Sequence, residues 1–575
     1  MKNKIINLLS EKIESLSAED ISSMLEIPPK AELGDFAFPC FRLAKELHKA
    51  PPMIAADIAS GIGETDFIDH IDVNGAYLNF YLCKDAFVKS MVENSAADNF
   101  GSSEEGTGKT ICIDYSSPNV AKNFHVGHLR TTIIGNSLYK IYSKLGYKVE
   151  RINHLGDWGT QFGKLIVAYK NWGDEATVKE KGVEELMRLY VAFHKAADEK
   201  PELNDEARAW FVKMEQGDEE ALRIWKWFVE ISLTEYKRTY NLLGVDFDHY
   251  TGESFYRNMT DDIVKKLTDA NLLTESEGAK IVDLEEYNMA PCLILKNDGS
   301  SIYATRDLAA IFYRKNTYNF VKALYVTGQE QKLHFAQVFK VVELLGNEWA
   351  KDQLVHIPYG LVSLDGAKLS TRDGNVIYAE DILLEAISKI KDTINEKNPD
   401  LADKDEVARI VGVGAVIFND LYNQRIKDVS FRWEKLLNFD GETGPYVQYT
   451  YARCSSILRK AYDIEDSASD NDKLNTIDTS SIDYSILSDD ASIDLLKEIN
   501  RFPDVVKDAS EKYEPSIVAR FSVDVAQAFN KFYTVNRINV EDENVKNSRL
   551  ALVKITRKTL RDALDLLGIG VVEQM

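Results

Sequence analysis

The stretch from Thr110 to Asn153 constrains the fold most, because its hydrophobic pattern changes twice within a short span. The apolar, β-branched run Thr110–Tyr115 predicts a buried strand, and Tyr147–Asn153 predicts another. Between them, apolar residues recur at helical spacing from Leu129, and Gly146 ends the helix. The unit is therefore a strand, a polar loop, a helix and a second strand.

The polar loop carries two of the nine histidines, His125 and His128, at the predicted start of the helix. Backbone N–H groups point outward there and the helix dipole is positive, which suits a phosphate. Gly127 has no side chain, so a planar base or sugar can approach the backbone. The alternative is that the two histidines only cap or pack the helix.

Strands and helices continue to alternate to about residue 395, a pattern typical of a doubly wound parallel sheet. The remaining predicted strands are 291–298, 321–328 and 356–364, and the helices between them are 305–314 and 333–346. A Trp-rich, charged helical insertion is expected around 171–248.

Two further domains are predicted to flank this one. Residues 1–106 form an α+β module, in which Asp72–Leu82 alternates like one strand, and residues 396–575 are almost wholly helical. The fold class is therefore α/β, with a Rossmann-like catalytic domain over 107–395, an α+β N-terminal domain and an all-α C-terminal domain.

Composition excludes some classes of function. No apolar run reaches membrane-spanning length, and the five cysteines form no C-x-x-C pair, so we expect neither zinc nor a disulfide framework, and a reduced cytosol fits. The net charge of −23 argues against nucleic acid, but binding needs only a local basic stripe. One candidate stripe lies near the C-terminus, although a solvated charged face is an equally good interpretation; it comprises Lys554, Arg557, Lys558 and Arg561.

A second polar loop, Ser363–Asn375, follows the last predicted strand and carries Lys368 and Arg372 between Gly and Asp residues. An exposed basic loop and a phosphate-suited helix start on one parallel sheet suggest two halves of a triphosphate clamp.

These two loops resemble the HIGH and KMSKS signatures of class I aminoacyl-tRNA synthetases. The segments around them are similar to arginyl-tRNA synthetases over nearly the whole chain; they are 116–136, 153–163, 303–310, 368–375 and 444–453. The resemblance implies activation of L-arginine by ATP with Mg²⁺, then transfer to tRNA(Arg). It also implies a tRNA-contacting N-terminal domain, a helical anticodon-binding domain, and a cytoplasmic protein, expected as a monomer without membrane partners.

The resemblance also implies site residues. The catalytic candidates are His125, His128, Lys368 and Lys122, and the ATP-binding candidates are Pro118, Asn119, His125, Gly127, His128, Lys368, Ser370 and Arg372. The second signature lysine is replaced by Thr371, and Lys122 is the expected substitute, with Arg372 as a rival.

Arginine's guanidinium needs an acidic pocket, because it stays ionised and offers a planar fork of donors. By match to the family, Asp307 is its expected partner, with Tyr303 one helical turn away. The other arginine candidates are Asn119, Gln331, Asp114 and Glu253, and the tRNA candidates are Tyr449, Arg453, Tyr533 and Asn536. The alternative functions are another class I synthetase, a nucleotidylyltransferase with the same clamp, and a non-catalytic tRNA-binding paralogue.

Overall fold

The computed structural model describes residues 1–364, 367–368, 378–464 and 472–575. They form two compact units. The first comprises Met1–Phe100, Cys454–Phe502 and Gln527–Thr559, and the second comprises Gly101–Arg453, Pro503–Ala526 and Leu560–Met575. Among the described residues, none of the helices combines the length and apolar content that a membrane span requires.

The N-terminal segment is a small antiparallel sheet packed with helices around buried Phe38, Leu78 and Phe80. The strands are β1 (Phe36–Pro39), β2 (Ile68–Asn74) and β3 (Tyr77–Leu82), in the order β1-β3-β2. The helices are α1 (Lys2–Ser10), α2 (Ala18–Met24), α3 (Ala44–Leu47), α4 (Pro51–Gly61) and α5 (Lys84–Ala96).

The prediction of one strand over Asp72–Leu82 is wrong, because the chain reverses within it. Asn74 pairs with Tyr77 across the turn between β2 and β3. Gly75 has a φ of +59°, a conformation that glycine adopts without steric cost. Asn-Gly is a standard hairpin signal, and it interrupts the alternation here.

The second unit is built on a four-stranded parallel sheet, which confirms the predicted α/β class. It begins with β4 (Thr110–Asp114), α6 (Val126–Lys144) and β5 (Lys148–Ile152). Its apolar strand residues, such as Ile111 and Ile113, are buried. Helices α7 to α11 follow; they are Thr160–Trp172, Glu175–Lys181, Val183–Glu199, Glu202–Glu215 and Glu219–Leu243. Of these, α8 to α11 lie within the insertion expected around 171–248, and α7 precedes it.

A separate antiparallel sheet follows, with α12 (Glu253–Tyr256) and α13 (Thr260–Asp269) before it. Its strands are β6 (Leu273–Ser276), β7 (Ala279–Val282) and β8 (Cys292–Leu295). The segment 291–298 was expected in the parallel sheet, and that expectation is wrong. Strand β8 pairs with β7 instead, because the short hairpin β6–β7 supplies a nearer partner edge.

The parallel sheet is completed by β9 (Lys322–Gly328) and β10 (Leu354–Tyr359), giving the order β10-β9-β4-β5. The helices of this half are α14 (Tyr303–Tyr318), α15 (Lys332–Leu344) and α16 (Ala350–Gln353). Since β4 and β9 are parallel neighbours, the loops after them meet at one edge of the sheet.

The predicted strand 356–364 is in fact two strands in different sheets. The chain leaves β10 at Gly360 and continues as β11 (Val362–Leu364), which pairs with β12 (Ala367–Lys368) and with β13 (Val429–Phe431). Helices α17 (Ala379–Lys397) and α18 (Lys404–Leu421) lie between β12 and β13 in the chain. Helix α19 (Trp433–Leu436) follows β13.

The remaining C-terminal segment is helical, as predicted. Its helices are α20 (Gly444–Tyr462), α21 (Asp472–Asn475), α22 (Asp490–Asn500), α23 (Phe502–Glu511), α24 (Ser516–Val535) and α25 (Glu543–Leu566).

The basic stripe on α25 is only partly a surface feature. Arg557 is buried and donates to the Ser455 hydroxyl at 2.7 Å and the Asn475 amide oxygen at 2.8 Å. Lys558 donates to the Ala97 carbonyl at 2.9 Å. For Arg557, neither a solvated face nor a nucleic-acid contact fits, because its guanidinium joins helices inside the unit.

Candidate active site

The two histidines cap helix α6, and they do so in one defined tautomer. His125 is the N-cap residue and its Nδ1 accepts from the Gly127 N–H at 3.1 Å. His128 Nδ1 accepts from the His125 N–H at 3.2 Å. A neutral imidazole that accepts at Nδ1 carries its proton on Nε2. Each ring therefore keeps an Nε2–H donor, so capping the helix is compatible with holding a phosphate.

Both imidazoles are held in the neutral form. Burial lowers the pKa of His125, and the nearby Lys122 charge lowers it further. Burial also places the pKa of His128 well below its ordinary value, with smaller contributions from His125 and Lys122. The two histidines can therefore offer hydrogen bonds to an anion, and the positive charge beside them is that of Lys122.

Gly127 has a local role besides the predicted one. A Cβ at this position would lie 2.9 Å from the His125 ring carbon Cε1. The glycine thus gives the His125 ring room to fold back onto the helix start. Its predicted role, leaving space for a base or sugar, stays a prediction.

The loop before α6 is strained and firmly held. Ser116, Ser117 and Ala121 have positive φ values of 70°, 45° and 58°. Non-glycine residues keep such a backbone only where the surrounding structure enforces it, and such positions cluster at functional sites. The Tyr236 hydroxyl supplies part of this restraint, at 2.8 Å from the Asn119 carbonyl and 2.6 Å from that of Lys122.

The same loop lies against the segment that follows β5. Val120 N–H donates to the Gly156 carbonyl and Gly156 N–H donates to the Pro118 carbonyl, both at 3.1 Å. A Cβ on Gly156 would lie 2.1 Å from the Asn119 side-chain oxygen. This close approach requires glycine at position 156 and fixes Pro118 and Asn119, two predicted ATP-site residues, at the sheet edge.

Asp307, the predicted guanidinium partner, lies on α14 between two histidines. Its Oδ2 accepts from His334 Nε2 at 2.6 Å, and His154 Nε2 lies 3.7 Å from its Oδ1. Burial acts to raise the pKa of Asp307, but the His334 hydrogen bond and the nearby cationic groups outweigh it, and the pKa is lowered. The carboxylate is therefore ionised at neutral pH and oriented before any ligand arrives.

Tyr303 lies one turn before Asp307, as predicted, and its ring meets the His334 ring edge-on at 4.9 Å. Sequence reasoning missed His154 and His334 as partners of Asp307. His154 lies inside 153–163, a stretch that carried the resemblance, and His334 follows Gln331 by three residues, but no local pattern pairs either histidine with Asp307.

The two other carboxylates already have cationic partners. Asp114 Oδ2 lies 2.7 Å from Arg314 Nη1, and Glu253 Oε2 lies 3.0 Å from Arg306 Nε. Burial raises the pKa of Glu253, and Arg306 counters part of that effect. A direct role with arginine would require either group to exchange its arginine partner, whereas the groups that flank Asp307 are two histidines.

Asn119 and Gln331 are both exposed and follow neighbouring strands. Asn119 comes after β4, and Gln331 ends a short 3-10 turn directly after β9. Because β4 and β9 run in parallel, these two polar side chains belong to the same edge of the sheet. This placement agrees with their predicted role at the backbone end of arginine.

Lys122 is exposed, and its ammonium has no ion pair or hydrogen bond to any of the described residues. The Lys368 backbone lies in β12, opposite Ser363 of β11. Ser370, Thr371 and Arg372 lie outside the described residues. The roles predicted at the triphosphate for Lys122, Lys368, Ser370 and Arg372 stay predictions.

The second loop returns to the first at Tyr378. Residue 378 bridges to His125, and the Tyr378 hydroxyl accepts from the Asn123 side-chain amide at 3.1 Å. Ala379 N–H also donates to the Phe124 carbonyl at 3.0 Å. The chain downstream of the basic loop is thereby joined to the histidine loop.

The tRNA candidates fall in different compact units. In the second unit, the Arg453 guanidinium lies over the half-exposed Tyr449 ring at 4.9 Å. In the first unit, Tyr533 stacks on Phe529, while Asn536 is buried and donates to Asp489 at 3.1 Å. Tyr449, Arg453 and Tyr533 present stacking surface, whereas the Asn536 amide already serves the protein's own packing.

The described residues offer no group of three or more histidine, cysteine or acidic side chains that could hold a metal ion. Mg²⁺ ordinarily takes several waters and nucleotide phosphate oxygens with few protein ligands. The site therefore fits a magnesium ion that is carried by the triphosphate.

Comparison with known families decides the relationship. The model for the catalytic domain of class I tRNA synthetases (R) matches residues 91–433. The arginyl-tRNA synthetase N-terminal domain matches 3–82 and the DALR anticodon-binding domain matches 447–575. The chain belongs to the arginyl-tRNA synthetase family.

Relatives of the family match along the whole chain. The arginine–tRNA ligase of Alkaliphilus metalliredigens is 52% identical, covering 100% of this chain and 99% of the relative. That of Clostridioides difficile is 51% identical at the same coverage. Among solved structures, the Thermus thermophilus arginyl-tRNA synthetase has a TM-score of 0.81 at 24% identity and covers 100% of both chains, which shows the shared fold. The Plasmodium falciparum arginyl-tRNA synthetase has a TM-score of 0.79 at 25% identity, covering 100% of this chain and 98% of that one.

Proposed function

We propose that this protein activates L-arginine with ATP, forming arginyl-adenylate and pyrophosphate, and then transfers the arginyl group to the 3′ adenosine of tRNA(Arg). The observation that carries the proposal is Asp307, an ionised carboxylate set between His334 and His154. A site of this kind suits a guanidinium, because one carboxylate accepts two of its parallel N–H bonds.

In the first step, a carboxylate oxygen of arginine attacks the α-phosphorus of ATP and the bond to pyrophosphate breaks. The chain's contribution is positioning and charge stabilisation. The Nε2–H donors of His125 and His128 face phosphate oxygens, and Lys122 and Lys368 neutralise the leaving pyrophosphate. Mg²⁺ would add Lewis-acid charge neutralisation on the phosphate oxygens.

Arginine is oriented at both ends. Asp307 and Tyr303 take the guanidinium, while Asn119 and Gln331 bind the α-amino and carboxylate groups. Asp114 and Glu253 support the pocket through Arg314 and Arg306. Pro118, Gly127, Ser370 and Arg372 complete the ATP site in this proposal.

In the second step, the terminal ribose hydroxyl of tRNA attacks the arginyl carbonyl carbon and AMP leaves with the bonding electron pair. Unstacked anticodon bases need aromatic and polar surfaces, which Tyr449, Arg453 and Tyr533 provide. We further propose that the protein acts as a cytoplasmic monomer.

Charging of a tRNA(Arg) transcript with radiolabelled arginine tests the proposal. The purified protein should charge tRNA(Arg) and leave a transcript for another amino acid uncharged. A His128→Ala variant serves as the control for the nucleotide site. Charging with a different amino acid would favour another class I synthetase, pyrophosphate exchange without charging would favour a nucleotidylyltransferase, and tRNA binding without either would favour a non-catalytic paralogue.

A further inference from the structure

Arg130, two residues after His128 on α6, is fully buried and joins four backbone carbonyls. Its Nη1 donates to the carbonyls of Gly360 and Leu361 at 2.8 and 3.1 Å. Its Nη2 donates to those of Arg425 and Lys427 at 3.0 and 2.8 Å. A planar guanidinium can hold four acceptors in one fixed arrangement, which a lysine ammonium cannot do.

The four carbonyls lie where two strands of the small sheet begin. Gly360 and Leu361 form the break between β10 and β11, and Arg425 and Lys427 come just before β13. Strands β11 and β13 are parallel partners, and β11 also pairs with β12 through Ser363 and Lys368. Arg130 therefore connects the histidine helix to the sheet that carries Lys368.

This joint is closely packed around the guanidinium. A Cβ on Gly360 would lie 2.6 Å from the Lys427 carbonyl carbon, so the two segments meet there with no room for a side chain. The Arg425 guanidinium donates to the Pro358 carbonyl at 2.7 Å and ties the end of β10 into the same joint.

Among the residues that the structure describes, Asp420 is the one carboxylate that forms an ion pair with Arg130. Asp420 Oδ1 on α18 lies 3.1 Å from Arg130 Nε, and its side chain is as buried as that of Arg130. Burying a charged pair in a packed core is costly, and apolar residues of similar volume often stabilise such a site better. A role in fixing geometry accounts for keeping an arginine here.

We propose that Arg130 is a positioning residue, which fixes the distance between the histidines of α6 and the Lys368-bearing strand β12. It thereby aligns the two halves of the phosphate site. The inference rests on the proposed function, since the two halves act together only in the reaction with ATP. Arg130 itself lies behind the site and does not contact the nucleotide.

Arg130→Lys tests the proposal, because it keeps the charge and loses the four-carbonyl fork. We expect kcat for arginine-dependent pyrophosphate exchange, measured with tRNA(Arg), to fall about 10²-fold, the effect of misplacing reacting groups by about 1 Å. The dissociation constant for arginine should stay at the wild-type value, since Asp307 lies on α14 outside the joint. Hydrogen exchange should quicken at the amides of Gly360 and Val429, which donate to the carbonyls of Arg425 and Leu361.

Two variants complete the test. Asp420→Asn keeps the four carbonyl bonds and should leave kcat near wild type, whereas Gly360→Ala should lower kcat as Arg130→Lys does. If Arg130→Lys does not fold, Gly360→Ala decides the matter. Wild-type kcat in whichever of these two variants folds would overturn the proposal, as would a parallel loss of arginine affinity and kcat. If the wild-type protein shows no pyrophosphate exchange, the proposed function fails separately. Amide hydrogen exchange then still tests the role of Arg130, and unchanged amide rates in the variants would overturn it.

Discussion

At the level of single residues, the partners of Asp307 distinguish it from the other acidic side chains proposed to bind arginine. Two other carboxylates near the sheet edge, Asp114 and Glu253, already pair with Arg314 and Arg306. Asp307 instead accepts one hydrogen bond from His334 and keeps a lowered pKa despite its burial. It is thus prepared to receive a cation without first giving up an arginine.

Replacing Asp307 by Asn should remove the charge that balances the guanidinium. We expect a loss in kcat/KM for arginine that corresponds to about 3 kcal/mol, typical of removing one partner of a buried pair. Steady-state pyrophosphate exchange measures the effect. Asp269→Asn, an exposed Asp on α13 paired with Lys265, is the matched control and should be silent. Arginine kinetics unchanged in the Asp307 variant would refute the assignment.

Lys122 is the second residue with a sharp expectation. Its charge lowers the pKa of both neighbouring histidines, His125 and His128. Lys122→Ala should lower kcat for activation by roughly 10²-fold and raise the KM for ATP less, because the cation acts mainly on the transition state. Rapid-quench measurement of adenylate formation gives the rate.

Adding Thr371→Lys to the Lys122 variant should restore part of this rate, since it returns a cation to the second loop. The competing explanation is that Arg372 supplies the charge. A Lys122→Ala enzyme close to wild type, beside an inactive Arg372→Ala enzyme, would transfer the role to Arg372.

Among the secondary-structure elements, helix α6 organises the site through two sets of contacts near its N-terminus. Its N-terminus orients His125 and His128, and Arg130 behind them holds β11 and β13. The loop before α6 also bonds to Tyr378, downstream of the basic loop. Helix α6 and the loop before it therefore contact the chain on both sides of the basic loop.

Stability at this joint should depend on pH through Asp420. Burial raises the pKa of Asp420 to about 6, more than Arg130 lowers it. A raised folded-state pKa means that the group's contribution to stability is present below the ordinary value of 3.8 and is lost as pH rises through about 6.

Asp420→Asn lacks this titration. The difference in melting temperature, wild type minus variant, should therefore fall between pH 4.5 and 7 and then stay level. Thermal melts of both proteins across this range measure the difference, in which the shared titrations cancel. A difference that is constant or that grows with pH would contradict the assignment.

Local patterns predicted the strand–loop–helix–strand unit, because each part depends on residues close together in sequence. The partners of Asp307 escaped prediction since His154, Asp307 and His334 come from three separate segments that meet only in the fold. The break between β10 and β11 was missed because the apolar run continues through it; Gly360 was its only local sign. The Asn74-Gly75 turn has a recognisable sequence signal, but the alternating pattern on either side of it led to the wrong prediction of a single strand.

At the scale of the whole molecule, an acidic chain must still bind a polyanion. The net charge is −23, and part of the basic stripe on α25 is buried, so tRNA contacts have to come from local exposed groups. The partly exposed Arg453, whose guanidinium lies over the Tyr449 ring, is one candidate.

Binding of tRNA(Arg) should therefore weaken as salt rises, because each phosphate that a cation neutralises releases counterions. Fluorescence titration from about 50 to 200 mM KCl should give a linear decline of log affinity with log salt concentration. Arg453→Gln should make the slope shallower, while Arg208→Gln, an exposed insertion arginine paired with Asp205, should leave it unchanged. A flat dependence in the wild-type protein would refute local electrostatic docking.

We expect this protein to activate arginine at the site between α6 and α14, and, as the resemblance to arginyl-tRNA synthetases implies, only when tRNA(Arg) is bound. Exchange of labelled pyrophosphate into ATP, measured with each amino acid and with or without tRNA(Arg), tests it most directly. We expect exchange with arginine when tRNA(Arg) is present, little exchange without the tRNA, and none with citrulline, which lacks the guanidinium charge that we propose Asp307 binds. Robust exchange without tRNA, or equal exchange with citrulline, would contradict it.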